Sequence, residues 1–298
     1  MNTAVPLAER SSMAIARDVL SLFKLRIGLL IMLTALVGML ITPGRGPGWA
    51  RVLVLAVSVL GASASAGAFN QYYEREHDRL MVRTRRRAFV TGALQASPAW
   101  LYLIGLMLVA SVAVAAWVIN PLSALLVFLG AFFYGVVYTV WLKRRTWWNI
   151  VIGGLAGSFA VLAGAAAVDT RLGPLPILLA LALFLWTPPH FWSLAIAHRS
   201  EYAQAGVPML PVVAGEARAA RAVFVATVLL VAISLLPALF GAGPVYVVGA
   251  LAGGLYFIAR AWALQRTPSQ RSAMASFFAS LVQLSLLLIA ASIDSLLR

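Results

Sequence analysis

The stretch Asn70-Gln71-Tyr72-Tyr73-Glu74-Arg75-Glu76-His77-Asp78-Arg79-Leu80-Met81-Val82-Arg83-Thr84-Arg85-Arg86-Arg87 decides how the rest of the chain is read. It sets three acids and six arginines at the end of an almost purely apolar run, Val52 to Phe69, which is long enough to cross a bilayer as a helix. A helix that leaves lipid into such a patch offers carboxylates for a metal and cations for phosphate. The patch can hold a charged head while the membrane holds an apolar tail. The stretch points to chemistry on a lipid diphosphate.

Composition extends that reading to the whole chain. Of 298 residues, 62% are hydrophobic and 11% charged, against about half and a quarter in a soluble domain. The excess is laid out as repeated apolar runs of about 18 or more residues, the length a spanning helix needs. The expected fold class is an all-α polytopic membrane bundle, a single domain over residues 1–298 with a polar N-terminal segment over residues 1–20. That segment has none of the layout of a signal peptide. There is no cysteine, so structural disulfides, thiolate catalysis and covalent haem attachment through cysteines are excluded. The formal net charge of +14 implies no nucleic acid here, because the cations lie in short loops where they set orientation and meet anionic lipid or an anionic substrate.

Nine spans are expected, at Phe23–Ile41, Arg51–Tyr73, Pro98–Val118, Pro121–Trp141, Trp148–Val168, Pro174–Ala197, Ala219–Leu239, Pro244–Leu264 and Ala273–Leu296. Four open on a proline, which suits the first position of a helix. With nine spans, 19 of the 23 Lys and Arg residues fall on one side of the membrane; Arg45, Arg51, Arg171 and Arg298 fall on the other. That asymmetry places the N-terminus and the charged loops in the cytoplasm.

Asn70, Glu74 and Asp78 are spaced i, i+4, i+8 and share one helical face. Three oxygen donors at a membrane boundary suit Mg²⁺, which takes few carboxylates directly and fills its other positions with water and phosphate. Arg83 is the expected phosphate ligand beside them, with Arg85 to Arg87 read as an orientation signal. Lys24 and Arg26 open the first span at the same depth, so they either snorkel or complete a diphosphate clamp. Lys143 and Arg144, with Arg145, read either as an orientation signal or as an anion site. In the sixth span Pro188-Pro189 should free backbone carbonyls and kink the helix. His190 follows at membrane depth, where an ionisable residue is a functional candidate. His198 and Arg199 close that span, and Glu201 is the acid available for a second metal ion. Gly153, Gly154, Gly157 and Gly164 read as small-residue helix packing.

These residues resemble the UbiA-type intramembrane prenyltransferases, whose first acidic motif Asn70-x3-Glu74-x3-Asp78-x2-Met81-x-Arg83-Thr84 matches. Three further runs are similar to the haem-farnesylating branch of that family. They are Tyr138-Thr139 through Lys143-Arg144 to Asn149 and the glycines, then Leu185-Trp186-Thr187-Pro188-Pro189-His190-Phe191-Trp192, then Glu201-Tyr202 through Ala205-Gly206-Val207-Pro208-Met209-Leu210-Pro211. The resemblance implies a nine-helix bundle around a central cavity and transfer of farnesyl from farnesyl diphosphate to a vinyl group of haem b. It implies Mg²⁺ on Asn70, Glu74 and Asp78, a second ion on Glu201, and phosphate oxygens on Lys24, Arg26 and Arg83. His190 would lie near the porphyrin, with Lys143, Arg144, His198 and Arg199 among the substrate-binding residues, and docking to a downstream haem-modifying enzyme or oxidase assembly is open. Three positions depart from the family pattern: Leu25 replaces a proline, Arg86-Arg87-Ala88 replaces Asn-Arg-Pro, and Ser200 replaces an acid.

Two other readings compete. A sibling acting on a quinone or chlorophyll precursor would share the acids but has no need of His190. A transporter of an anionic lipid or metabolite tends to place ionisable groups at the midplane within inverted repeats, whereas here the acids gather at one boundary.

Overall fold

The computed structural model describes residues 11–298, and Arg10 with the start of the polar N-terminal segment lies outside them. Helices follow one another with no strand among the described residues. They are α1 (Ser12–Leu22), α2 (Leu25–Leu40), α3 (Trp49–Asp78), the short α4 (Ala88–Thr91), α5 (Pro98–Val118), α6 (Pro121–Phe132), α7 (Asn149–Gly153), α8 (Leu155–Ala166), α9 (Pro174–Ala197), the short α10 (Arg199–Gln204) and α11 (Leu210–Ala214), α12 (Glu216–Leu235), α13 (Pro244–Arg266) and α14 (Gln270–Leu297). α6 runs on as a π-helix over Phe133–Leu142, and α12 ends in a 3-10 turn, Leu236–Phe240.

Among the described residues, eight helical stretches are each long and apolar enough to cross a membrane, and α1 with α2, bent by 44°, gives up to nine. Pro98, Pro121, Pro174 and Pro244 each stand at the first position of a helix, where the missing amide donor costs no bond. Three boundaries differ from expectation. α3 continues five residues past Tyr73, which keeps Glu74 and Asp78 on the helix as their shared face requires. The first span is broken at Phe23-Lys24. α9 is helical straight through Pro188 and Pro189; nearby, the hydroxyl of Thr187 donates to Leu183 O and that of Ser193 to Pro189 O.

α2, α3, α5, α6 and α8 pack as one group and α9, α12, α13 and α14 as another, joined where α8 meets α9 and α2 meets α14. The α2–α8 contact is backbone against backbone. A Cβ built on Gly164 would lie 1.7 Å from the Ala35 carbonyl oxygen, and one on Gly38 would lie 2.2 Å from that of Val161. In lipid such close approach replaces the hydrophobic drive that water supplies elsewhere. Gly153 and Gly154 make room for the Tyr138 ring and Thr187, while Gly157 faces no neighbour within 4 Å. The chain alternates direction through the bundle. The C-terminal ends of α3, the π-helix, α9 and α13 therefore share one end with the α1–α2 break and the start of α14.

Candidate active site

That shared end holds the charged residues. Asn70, Glu74 and Asp78 lie along one face of α3, and all three are buried, Glu74 to 1% exposure. Carboxylates so far from water require compensation, and three neighbouring elements supply it. From the π-helix end, Lys143 Nζ pairs with Glu74 Oε2, and Arg144 Nη2 stands 3.6 Å from Glu74 Oε1. From the α3–α4 loop, Arg87 Nη1 reaches Asp78 Oδ2 at 2.5 Å. The same loop is closed by Thr84, whose hydroxyl donates to the Asp78 carbonyl at 2.8 Å. From the α1–α2 break, Lys24 Nζ donates to Asn70 Oδ1 at 2.7 Å and contacts Tyr134 Oη at 2.9 Å.

The break exists to make that contact. Lys24 has φ 47° and ψ 42°, a left-handed conformation that a residue with a Cβ adopts only under constraint. Its flank passes Gly67, whose built Cβ would lie 3.5 Å from the lysine side chain. The π-helix contributes in a similar way. Its i→i+5 turns bring Tyr134, Thr139 and Lys143 into line. Thr139 donates to Tyr134 O and accepts from Asn70 Nδ2 at 3.0 Å, and Tyr134 stacks on Tyr138 with an interplanar angle of 11°.

The second charged loop meets the first. Glu201 Oε1 pairs with His198 Nδ1 at 2.9 Å. This bond, with the backbone amides of Arg83 and Val82 adding to it, holds the Glu201 carboxyl below its ordinary range. Tyr202 is buried beside Arg83, and burial pushes its phenol up. Met81 is buried in a cluster with Tyr202, Ala205, Val207 and Met209, which accounts for part of the Ala-Gly-Val-Pro-Met-Leu-Pro run.

Deeper in the bundle, His190 stands on α9 and faces α14. Trp186 and Phe277 stack on its two sides at centroid distances of 4.1 and 4.5 Å, and its Nδ1 is 2.6 Å from Ser280 Oγ. Ser280 has one hydroxyl hydrogen and donates it to the Phe277 carbonyl at 2.6 Å. Its oxygen must then accept from His190, so Nδ1 carries the proton and Nε2 keeps its lone pair.

The expected site residues thus divide. Lys24, Asn70, Glu74, Asp78, Lys143 and Arg144 come together. Arg83 is exposed and turned to Tyr202, and it is Arg87, read from sequence as an orientation signal, that reaches Asp78. Arg26 is exposed on the first turn of α2. Arg199 pairs with Glu216 at 3.4 Å on the surface. Tyr134, Thr139 and His77, which lies 2.9 Å from Arg144 through Nδ1, were given no role from sequence. Only the aromatic and basic composition of their segments hinted at them.

The donor set fits a magnesium ion. Glu74 Oε1 is buried with no hydrogen-bond partner, and Asp78 stands one turn on. Among the described residues no group of three or more His, Cys, Asp or Glu side chains comes together as a metal cage; magnesium takes few carboxylates directly and fills its other positions with water and phosphate. Glu201 Oε2 is likewise buried without a partner.

The sequence profile of the UbiA prenyltransferase family matches residues 31–282. This chain belongs to that family. Among relatives of this UbiA prenyltransferase, protoheme IX farnesyltransferase 2 of Paramagnetospirillum magneticum is 56% identical, over 93% of this chain and 96% of that one. Protoheme IX farnesyltransferase of Hahella chejuensis is 40% identical over 93% of each. The structure of a digeranylgeranylglyceryl phosphate synthase superposes with a TM-score of 0.80 at 18% identity, over 96% of this chain and all of that one. A UbiA homologue from Archaeoglobus fulgidus, solved with GPP and Mg²⁺, gives 0.68 at 19%, over 91% and 99%. The structural likenesses show the fold. The chain is accordingly an integral, multi-pass prenyltransferase.

Proposed function

We propose that this prenyltransferase moves the farnesyl group of farnesyl diphosphate onto a vinyl group of haem b, giving haem O, in the cytoplasmic membrane of a bacterium with its charged loops on the cytoplasmic side. The observation that carries the reading is the buried Glu74–Asp78 pair with Lys143 and Arg87 set against it, in a chain 56% identical along nearly its whole length to a protein named for that reaction.

Glu74 and Asp78 would hold magnesium, with Asn70 beside them, and Glu201 would serve a second ion. Magnesium, when bound, supplies Lewis-acid stabilisation of the charge that grows on the diphosphate. Lys143, Arg144, Arg87 and Lys24 stand within reach of the same space as fixed positive groups for its oxygens. The bond from farnesyl C1 to oxygen breaks with its electron pair going to the diphosphate. The vinyl π bond of haem b supplies the pair for the new carbon–carbon bond. Water adds to the vinyl carbon next to the ring and gives up one proton, leaving a hydroxyethylfarnesyl group. The Tyr134–Tyr138 stack beside the acids would keep early water from the allylic carbon, and His190, with its Nε2 lone pair set by Ser280, would lie near the porphyrin.

The test is to incubate the purified protein in detergent with haem b, farnesyl diphosphate and Mg²⁺ and to look by mass spectrometry for haem carrying a hydroxyethylfarnesyl group. Product that vanishes with EDTA is expected. Release of diphosphate with an aromatic acceptor, but none with haem, would move the chain to a sibling branch.

A further inference from the structure

One cleft at the charged end of the bundle lies outside the candidate active site. It opens where α9 and α10 meet α11, α12 and the start of α14, and its volume is about 380 Å³. Ile196 and Val212 give it apolar walls, and Arg199, Ser200, Glu216 and Gln270 bring polar groups to it. The acids of α3 do not border it. Glu201, the neighbour of Ser200, pairs with His198 instead. The spans of α9, α12 and α14 all begin or end here, so the cleft stands at the level of the lipid headgroups and not in hydrocarbon.

The charges that line the cleft are balanced, one cation and one acid. Arg199 Nη1 stands 3.4 Å from Glu216 Oε1, with the two side chains 46% and 39% exposed. So open a pair contributes little and is readily exchanged for other partners. Arg218 and Arg221 follow Glu216 by two and five positions, which carries them round to the far side of α12, and both are exposed. They add to the cation asymmetry and leave the balance inside the cleft unchanged. Gln270 is the first residue of α14, a helix of 28 residues, whose first-turn amides favour an anion.

We propose that this cleft is a binding site for a phospholipid whose headgroup carries a phosphate and a primary ammonium, as in phosphatidylethanolamine. The phosphate takes Arg199 and the start of α14, and the ammonium donates to Glu216. The weak Arg199–Glu216 pair is thereby exchanged for two charge-assisted pairs, and no charge is left over. An anionic headgroup would take Arg199 and leave Glu216 facing an anion. A choline headgroup has the charge but no N–H to donate. Lipid bound here braces α9 against α12 and α14 from the cytoplasmic leaflet. The proposal is independent of the reaction and of its acceptor.

The experiment uses the full chain purified in detergent. Native mass spectrometry follows competition among phosphatidylethanolamine, phosphatidylcholine and phosphatidylglycerol of matched acyl chains. Phosphatidylethanolamine should be retained at least about tenfold better than either, the worth of one charge-assisted hydrogen bond. Its N-methyl and N,N-dimethyl derivatives should fall between it and phosphatidylcholine, in the order of N–H groups lost. Arg199→Gln and Glu216→Gln should each abolish the preference. The double exchange of Arg199→Glu with Glu216→Arg should restore it, which a folding defect cannot imitate. Ala203→Trp, which fills the cleft and leaves both charges in place, should release the lipid. Equal retention of the ethanolamine and choline lipids would overturn the proposal. So would stronger retention of phosphatidylglycerol, which would assign lipid binding to the exposed arginines. A preference that persists in Ala203→Trp would place the lipid elsewhere and would also overturn it.

Discussion

Glu74 and Asp78 are one helical turn apart and equally buried, yet their substitutions should differ in a way that separates catalysis from folding. Asp78→Asn removes a carboxylate whose partner, Arg87, is 22% exposed and can turn to water. Turnover should fall by at least about 10²-fold with little change in unfolding temperature. Glu74→Gln strands Lys143, which is 14% exposed, and breaking a buried pair in that way costs about 3–5 kcal/mol. Activity should vanish and the unfolding midpoint should drop as well. Near-normal product formation by Asp78→Asn would sink the metal assignment. Glu201 allows a pH test. Its carboxyl is held low by His198 and the amides of Arg83 and Val82, so the stabilisation is complete above the ordinary carboxylate range, about pH 4.3, and is lost as pH falls through the lower folded value. Hydrogen exchange at Val82 and Arg83, corrected for intrinsic rates, should stay flat from pH 7 to 5 and quicken below. Glu201→Gln should remove the dependence, and a dependence that survives the substitution would overturn the assignment.

At the scale of elements, sequence and structure agree where the cause is local. α5 and α9 begin and end where expected, because Pro98 and Pro174 fix the first turn and a polar or glycine-bearing segment follows. They part where the cause is distant. α3 outruns its apolar stretch because Glu74 and Asp78 find cations from other elements, and hydropathy cannot register a compensated charge. The break at Lys24 depends on Asn70 and Tyr134, 46 and 110 residues away. Among six neighbouring arginines, nothing in the spacing marks Arg87 as the one that folds back. The π-helix at Phe133–Leu142 has no compositional signature at all. The small-residue reading of the fifth span can be tested directly. Gly164→Ala puts a methyl group against the Ala35 backbone, so α8 must move off α2, at a cost of roughly 1–3 kcal/mol. Gly157→Ala, in the same helix but facing open space, should be neutral or gain up to about 1 kcal/mol from helix propensity. Thermal unfolding in one detergent compares the two, and equal midpoints would remove α2–α8 contact as the reason for Gly164.

For the whole molecule the open question of position is which end of the bundle faces the cytoplasm, since every acid and cation of the candidate site lies at one end. The cation asymmetry puts that end inside, and the bundle supports the count of spans on which this rests: up to nine, with the first bent at Lys24. An error of one span would reverse the sign for all that follows it, so the decisive positions lie on either side of a long stretch of chain. Arg85 and Arg171 are both exposed, with α5, α6 with its π-helix, and the α7–α8 pair between them. Three crossings must set them on opposite faces. The chain contains no cysteine, so Arg85→Cys and Arg171→Cys each introduce a single thiol without a background to remove. In intact cells, a membrane-impermeant maleimide should label Arg171→Cys and spare Arg85→Cys, and in inverted vesicles the pattern should reverse. Labelling of both from one face would mean that a helix in the first half does not cross. The opposite pattern would place the site outside the cell, away from the cytoplasmic supply of a prenyl diphosphate, and would set the proposed reaction against the orientation of the protein that carries it.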